Sequence, residues 1–562
     1  MTERVLTGVA ASPGTALGEV RRWDRGSEVD ETVLPDAARP AAASQALAAL
    51  AAAAKEIENL ATRLRADGRV AEADILDAGA MMGEDPALSA AVEAAALQRG
   101  LTAPMAIRVE VEAMAAQLDS VGDAELAERA ADVRSLARRA ARLASDGPIR
   151  TQRAACDAVW IAFDLGPADV VELGDDVRAL ALADGGVTGH AAIVARGLGL
   201  PMVVGIGREL LRLRDGESII VDGDQGRVVA SPDPDHVARV RTQLAEQTDA
   251  RRRAMSTRDL AAVTRDGRVV RVLANASSVA EVRLALSAGA DGVGLLRTEL
   301  AFLDAQRWPS REEHLRALSP VLSELAGRIA TVRLLDFGGD KTPPFLRGAA
   351  GRGVQLLLNA ADALVAQLAA ILEAGNATQL RVIIPMVTEA GQVRAVRAAC
   401  DQVAGHTLGG APVLGAMVEV PAAAAMADRI APEVGLLSIG TNDLTSFQLG
   451  VDRAQPGPPL AHHPAVLRLV ADTVEAARHA GIPVEVCGEA ASDPLAMPLL
   501  VGLGVDELSV GSAAVARVRS WVRALDKGEA AAIADRAVEA DSAAEVEALA
   551  RPLRRLLDDA GD

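Results

Sequence analysis

The chain has 562 residues, half of them apolar, and its 58 basic and 77 acidic side chains give a net charge of −19. This length predicts two to four domains. The acidic charge repels nucleic acid, and it suits either a basic protein partner or simple solubility. No run of 18 apolar residues is free of charge and no signal-peptide pattern is present, so we expect no membrane association and a cytoplasmic location. The cysteines Cys156, Cys400 and Cys487 are too widely spaced to indicate a disulfide framework.

The first part of the chain has the pattern of an α/β domain that is interrupted by helices. Residues 1–22 and 147–230 contain short apolar strand patterns and are predicted to form one domain. Between them, residues 23–146 follow a helical period, which predicts an inserted helical bundle with Asp85 as a candidate helix cap. The polar stretch 231–257 is predicted to be a helical linker.

From residue 258 to 562 short apolar strands alternate with helical segments. Eight strand candidates occur, at 269–275, 292–296, 331–337, 381–387, 413–419, 435–440, 483–489 and 507–510. Eight βα units predict a TIM-type (β/α)8 barrel, with a doubly wound open sheet as the alternative. Several strands run directly into polar residues, which meet at the C-terminal strand ends of a barrel. These residues are Arg297, Glu419, Asn442, Asp443 and Cys487.

His190 lies in a segment that has the pattern of a strand, a glycine turn and the start of a helix. Thr188 is a candidate N-cap for that helix. The free N–H groups and positive dipole at a helix start favour an anion, and a neutral imidazole placed there can act as a nucleophile. Gly185, Gly186 and Gly189 let the backbone approach a phosphate closely. A histidine that only caps or packs is the alternative.

The second half of the chain offers candidate binding groups for an anionic substrate and a metal ion. Arg333 lies within an apolar strand, where a guanidinium is costly to bury unless an anion or a carboxylate meets it. With Arg297 and Arg453 it favours a substrate that carries phosphate and carboxylate, while a core salt bridge is the alternative for each arginine. Glu419 and Asp443 form a candidate Mg²⁺ site, although helix capping is an alternative for both and suits Asp443 better than Glu419.

Five segments together resemble a known family. They are LADGGVTGHAAIVARGLGLP (182–201), DGVGLLRTE (291–299), GAMVEVPAAA (415–424), SIGTNDLTSFQLGVDR (438–453) and VCGE (486–489). Over almost its whole length the chain resembles the enzyme I family of the bacterial phosphoenolpyruvate–sugar phosphotransferase system. Pyruvate phosphate dikinase and phosphoenolpyruvate synthase share the histidine domain and the barrel, but they also carry a large ATP-binding domain ahead of them.

The resemblance implies a phosphotransferase that performs the first step of sugar uptake. His190 would take the phosphoryl group of phosphoenolpyruvate and pass it to the phosphocarrier protein HPr, with release of pyruvate. Cys487 would protonate the methylene carbon of enolpyruvate, and Mg²⁺ would be held by Glu419 and Asp443. The implied substrate-binding residues are Arg297, Arg333, Asn442, Asp443 and Arg453.

The resemblance also implies partners and shows two departures. The helical bundle would dock HPr, and the barrel would form a homodimer. Gly189 stands where the family usually has a hydroxyl residue, and Gln355 replaces the second of two common arginines while Arg352 keeps the first. A paralogue that only binds its ligands, or a barrel enzyme acting on another enolate, are the alternative functions.

Overall fold

The chain is described by a computed structural model, which divides it into two compact units, Met1–Ala245 and Glu246–Asp562. The described residues are 3–23, 33–66, 69–120, 124–145, 157–173, 177–187, 189–303, 305–338, 342–349, 351–404, 412–451 and 460–561. Among them, no helix is both long and apolar enough to cross a membrane.

Unit 1 contains an eight-stranded mixed sheet. Its strands are β1 (Arg4–Thr7), β2 (Val9–Ser12), β3 (Thr15–Arg22), β4 (Ala158–Ala162), β5 (Val177–Leu182), β6 (Met202–Val204), β7 (Ser218–Asp222) and β8 (Arg227–Ala230). The spatial order is β1-β8-β7-β3-β4-β5-β6-β2, so the strands before and after the helical insertion share one sheet. Strand β4 is buried on both faces: Val159 and Ile161 join one apolar cluster, while Trp160 joins the other with the helices. This is the period-two alternation of a central strand.

Among the described residues, the N-terminal part of the chain forms eight helices. They are α1 (Arg39–Ala66), α2 (Val70–Met82), α3 (Pro86–Arg99), α4 (Ala103–Ser120), α5 (Ala124–Leu143), α6 (Pro167–Glu172), α7 (His190–Leu198) and α8 (Pro234–Ser256). The first five form the inserted bundle. Asp85 caps α3 as predicted, because its carboxylate accepts the Ala87 N–H at 2.7 Å. Helix α8 covers most of the predicted linker, and the division between the two units falls within it.

Ion pairs fasten the bundle to the α/β part of unit 1. Arg138 of α5 bonds to Asp164 at 2.8 Å and to Asp169 of α6 at 2.9 Å, and the neighbouring Arg139 bonds to Glu172 at 2.5 Å. Asp169 is buried, so this pairing is far less exposed to solvent screening than a surface ion pair. Helix α5 is therefore held firmly against the α/β part of the unit.

Unit 2 is a closed barrel of eight parallel strands. They are β9 (Arg271–Ala276), β10 (Gly292–Leu296), β11 (Ile329–Arg333), β12 (Gln379–Ile384), β13 (Val413–Val418), β14 (Leu436–Ile439), β15 (Val484–Val486) and β16 (Glu507–Gly511). Each strand pairs with the next and β16 pairs with β9, which closes the barrel. The predicted (β/α)8 barrel is thus confirmed, every strand candidate overlaps an observed strand, and the open-sheet alternative is wrong.

Helices cover the outside of the barrel. They are α9 (Val279–Ser287), α10 (Arg311–Ser323), α11 (Val354–Asn359), α12 (Ala361–Ala374), α13 (Ala390–Ala404), α14 (Pro421–Ala425), α15 (Ala427–Ile430), α16 (Thr441–Leu449), α17 (Pro464–Ala480), α18 (Ala496–Leu503), α19 (Val515–Ala524), α20 (Lys527–Glu539) and α21 (Ala543–Gly561). Most of the apolar core lies between the strands and these helices. The barrel lumen holds a smaller apolar cluster that includes Met417 and Cys487.

Candidate active site

His190 is the first residue of α7, as the sequence indicates. The N-cap position is Gly189, which has no side chain to accept the N–H groups of the first turn. The prediction of Thr188 as N-cap is therefore wrong by one residue, and Thr188 itself lies outside the described residues. The first turn of the helix keeps the backbone donors and the positive dipole that attract an anion.

A carboxylate from the helical bundle positions the His190 ring. Nδ1 of His190 lies 2.8 Å from Oδ2 of Asp132, which is buried on α5. When Nδ1 carries the proton it donates to Asp132, and the lone pair of Nε2 is then available for attack. Burial raises the pKa of Asp132, and the hydrogen bond to His190 partly opposes that rise. Asp132 was not predicted from the sequence, because its burial beside Val133 on α5 becomes visible only in the fold.

The glycine turn before His190 needs a glycine at one position and tolerates a side chain at another. Gly185 has a φ of +105°, a conformation that only glycine adopts readily. Gly189 has a φ of −56°, and a Cβ there would lie 3.2 Å from the Gly186 carbonyl oxygen. The family's hydroxyl residue would fit at position 189 with a small shift, so the backbone does not impose this departure.

Arg333 ends β11 and is surrounded by carboxylates at the barrel mouth. It donates to Glu299 Oε1 at 2.5 Å and lies 3.5 Å from Asp336 Oδ2, and all three side chains are buried. Burial opposes the charge on Arg333, but Glu299 and Asp336 outweigh it and raise the pKa of the guanidinium. The core salt bridge that stood as the alternative reading is present, and the substrate-binding role of Arg333 stays a prediction.

Glu419 follows β13, is buried, and accepts a hydrogen bond from a backbone N–H group. The Met386 N–H donates to Glu419 Oε1 at 2.7 Å, and Met386 has a φ of +54°, which is strained for a residue with a side chain. Burial and the nearby charge of Asp336 raise the pKa of Glu419 to about 7. Burial and the neighbouring negative charge therefore favour the protonated form of Glu419, and a bound cation would favour the ionised form.

Asp443 lies in the first turn of α16 and is linked to Asp336 through an arginine. Arg352 Nη2 is 3.5 Å from Asp443 Oδ1, and Arg352 Nε is 3.8 Å from Asp336 Oδ1. The N-cap of α16 is Gly440, so the alternative in which Asp443 is the N-cap of this helix is wrong. The arginine that the chain retains from the family pair thus lies between two carboxylates of the site.

The residues at the barrel mouth fit a magnesium ion that shares its coordination with water and substrate. Among the described residues no cluster of three or more His, Cys, Asp or Glu side chains could hold a metal ion alone. Glu419 and Asp443 would supply two oxygen ligands, and both oxygens of Asp336 are buried without a hydrogen-bond partner in the described part of the chain. Oxygen-only donors and an incomplete protein shell suit Mg²⁺.

Cys487 lies directly after β15 with its thiol buried in the lumen. The Ser438 hydroxyl donates to Sγ at 3.4 Å, and the thiol lies 3.6 Å from the Ile439 carbonyl oxygen. Burial and the neighbouring Glu485 raise the pKa of the thiol to about 12. Cys487 therefore remains protonated at neutral pH, which suits a proton donor and not a thiolate nucleophile.

The remaining predicted residues have different surroundings. The side-chain oxygen of Asn442 accepts the Glu489 N–H at 2.8 Å, which joins the start of α16 to the segment after Cys487. Arg297 follows β10 and is exposed. Arg453 lies outside the described residues. The structure thus brings Arg333, Glu419, Asp443 and Cys487 to the C-terminal strand ends of one barrel.

Comparisons with known proteins address the identity of the chain directly. Residues 251–527 match the PEP-utilising enzyme, PEP-binding domain; residues 7–129 match the PEP-utilising enzyme, N-terminal domain; residues 155–226 match the PEP-utilising enzyme, mobile domain. A phosphoenolpyruvate-protein phosphotransferase of Haloferax volcanii is 35% identical over 97% of this chain and 99% of its own length. The chain belongs to the phosphoenolpyruvate-protein phosphotransferase family. The predictions of family, enzyme class and fold class are confirmed.

Other members of the phosphoenolpyruvate-protein phosphotransferase family and its relatives differ in length. The Streptomyces coelicolor member is 37% identical over 98% of this chain and 99% of its own. A multiphosphoryl transfer protein of Rhodobacter capsulatus is 38% identical over 97% of this chain, which spans 67% of that longer protein. An NMR structure of the Enzyme I (nEIt) protein matches 42% of this chain and 97% of its own, at 29% identity and a TM-score of 0.34.

Proposed function

We propose that this chain transfers the phosphoryl group of phosphoenolpyruvate to its own His190 and then to HPr, with release of pyruvate. The observation that carries the proposal is the pairing of His190 with Asp132 at the start of α7. It fixes the ring with the proton on Nδ1, so that Nε2 carries the lone pair for attack on phosphorus, and it stabilises the positive charge that develops on the imidazole. The helix start supplies backbone donors for the transferred phosphoryl oxygens.

The barrel mouth is the proposed binding site for phosphoenolpyruvate. Its phosphate and carboxylate would be held by Arg297, Arg333, Asn442 and Arg453, with Asp443 at the edge of the site. Arg333 already forms buried ion pairs, so its guanidinium is held in place before the substrate arrives. Glu419 and Asp443 would hold Mg²⁺, which when bound would neutralise charge on the phosphoryl oxygens.

Cys487 is the proposed acid that converts enolpyruvate to pyruvate. Its thiol is protonated at neutral pH and lies at the C-terminal end of a barrel strand, where βα loops form active sites. Protonation of the methylene carbon removes the enolate from equilibrium and so favours phosphoryl transfer to His190.

The partner, the oligomer and the location are further parts of the proposal. Helix α2 presents an exposed Met81 close to acidic side chains, which suits a small basic carrier such as HPr. Asp74 and Asp77 are both bonded to Arg65, at 2.8 and 2.6 Å, so their charge is partly compensated before any partner arrives. We further propose a homodimer through the barrel, a cytoplasmic location and a place at the first step of sugar uptake.

The test is transfer of radiolabel from phosphoenolpyruvate to purified HPr in the presence of Mg²⁺. Wild type should label HPr, and His190→Ala should not. His479→Ala, which changes an exposed histidine on α17, is the matched control and should behave as wild type. If His190→Ala labels HPr as well as wild type does, or if wild type labels nothing, the proposed function is wrong.

A further inference from the structure

Glu485 is a buried carboxyl group in the lumen of the barrel. It lies on β15 two residues before Cys487, has no exposed surface, and neither of its oxygens has a hydrogen-bond partner among the described residues. Alternate residues of a strand face the same side, so both side chains point into the lumen. A Cβ on Gly294 of β10 would lie 2.5 Å from Glu485 Oε1. The absence of a side chain at Gly294 therefore makes room for this carboxyl group across the barrel.

The surroundings of Glu485 favour its protonated form. Burial is the main cause of its raised pKa, and the charge of Glu507 on the neighbouring strand β16 adds to it. Arg381 of β12 acts in the opposite direction, but both of its terminal nitrogens bond to Glu507, at 2.5 and 3.1 Å. The neighbours from β14 and β10, Ser438 and Gly294, carry no titratable group.

Ser438 neighbours both this acid and the Cys487 thiol, and among the described residues its hydroxyl is bonded to the thiol and not to the acid. It is the register partner of Glu485 in the β14–β15 ladder, and its hydroxyl donates to Cys487 Sγ at 3.4 Å. Cys487 is only 5% exposed and Glu485 is fully buried, so both groups exchange protons with bulk water slowly, and a proton that Glu485 already holds is the nearer source for the sulfur. A thiolate formed there is strongly basic, and the nearest buried acid on the same strand is Glu485.

We propose that Glu485 returns a proton to the Cys487 thiolate after the thiol has protonated enolpyruvate. In the first step the S–H bond breaks and a C–H bond forms at the methylene carbon, giving pyruvate and a thiolate. In the second step the carboxyl group of Glu485 rotates to reach the Ser438 hydroxyl that is bonded to the sulfur; the O–H bond of Glu485 then breaks and the S–H bond re-forms. The Glu485 carboxylate then takes a proton from solvent before the next turnover. This inference rests on the role of Cys487 in the proposed function.

The test separates the first turnover from later ones by rapid quench of pyruvate, using the full chain with phosphoenolpyruvate, Mg²⁺ and excess HPr. Glu485→Gln keeps the shape but cannot return a proton. It should form the first pyruvate per site within about twofold of the wild-type rate and then turn over at least about tenfold more slowly. Ser438→Ala should give the same burst. Thr331→Val, which removes another buried hydroxyl from the barrel strands, should change neither phase.

A pH profile adds a measurement that a purely structural role would not change. Wild-type steady-state turnover should fall as the pH rises through the titration of Glu485, while the first turnover should not, and Glu485→Gln should lose this dependence. The inference is overturned if Glu485→Gln keeps the wild-type rate in both the first and the later turnovers, or if it slows both by the same factor. Cys487→Ala tests the role on which it rests: first-turnover pyruvate at the wild-type rate would contradict the proposed function itself.

Discussion

Replacing Asp132 with alanine should slow phosphorylation of His190 by about 10- to 150-fold. The substitution removes a 2.8 Å hydrogen bond between Nδ1 of His190 and a buried carboxylate. A hydrogen bond to a charged group contributes about 1.5–3 kcal/mol, and about 1.4 kcal/mol corresponds to a tenfold change in rate. The full effect is expected because the bond strengthens as positive charge develops on the ring.

Asp132→Asn separates charge from hydrogen bonding. The amide oxygen still accepts the Nδ1 proton, but neutral hydrogen bonds are about half as strong as charge-assisted ones, so we expect a loss of about 3- to 10-fold. The assay is single-turnover transfer from labelled phosphoenolpyruvate to the protein, followed by rapid quench. Glu112→Gln, which alters an exposed carboxylate that pairs with Arg134, is the control. Wild-type rates for Asp132→Ala, or equal losses for the alanine and asparagine variants, would refute the positioning role.

Three further predictions follow from the buried groups and the glycine turn. Burial raises the pKa of Cys487 to about 12, so iodoacetamide at pH 8 should alkylate it more than about 10³-fold more slowly than a free thiol. Alkylation rates are measured by mass spectrometry, and equal rates for Cys487 and a free thiol would contradict that pKa. Burial lowers the pKa of His314 to about 4, so between about pH 6.5 and 4 the unfolded chain binds more protons than the folded chain. The free energy of unfolding should therefore fall by up to about 3 kcal/mol as the pH drops through this range. Urea titrations should show a smaller acid loss for His314→Leu, and an unchanged loss would be evidence against this cause. Gly189→Ser should fold, because its Cβ would lie 3.2 Å from the Gly186 carbonyl oxygen and needs only a small shift. One added hydrogen bond to the phosphohistidine should raise the phosphoenzyme level by about 2- to 10-fold. An unfolded variant would show that position 189 does require glycine.

The barrel could be predicted from the sequence because its signals are local. Each strand is a short apolar run, and several runs end in a polar residue, so the strands and the end at which Glu419 and Cys487 lie could both be inferred. The Asp85 cap is equally local, since donor and acceptor are two residues apart. The Thr188 cap failed by one residue, a usual error where a glycine turn leads into a helix.

Contacts between distant residues could not be predicted in the same way. Asp132 is 58 residues from His190 and lies in the inserted bundle, so only the packing of α5 against the α/β part brings them together. The strand pattern predicted that Arg333 is buried at a cost in free energy. It could not predict whether a substrate anion or the carboxylates Glu299 and Asp336 would pair with the guanidinium. Glu485 was overlooked because its burial depends on the glycine of another strand.

If His190 carries the phosphoryl group, that group can be located on the protein. The protein should be incubated with labelled phosphoenolpyruvate and Mg²⁺, digested with trypsin and analysed under alkaline conditions. The account predicts one phosphoryl group per chain, labile in acid and stable in base, in the peptide 179–196, where His190 is the single histidine. Label in any other peptide, or an acid-stable label on a hydroxyl residue, would contradict it.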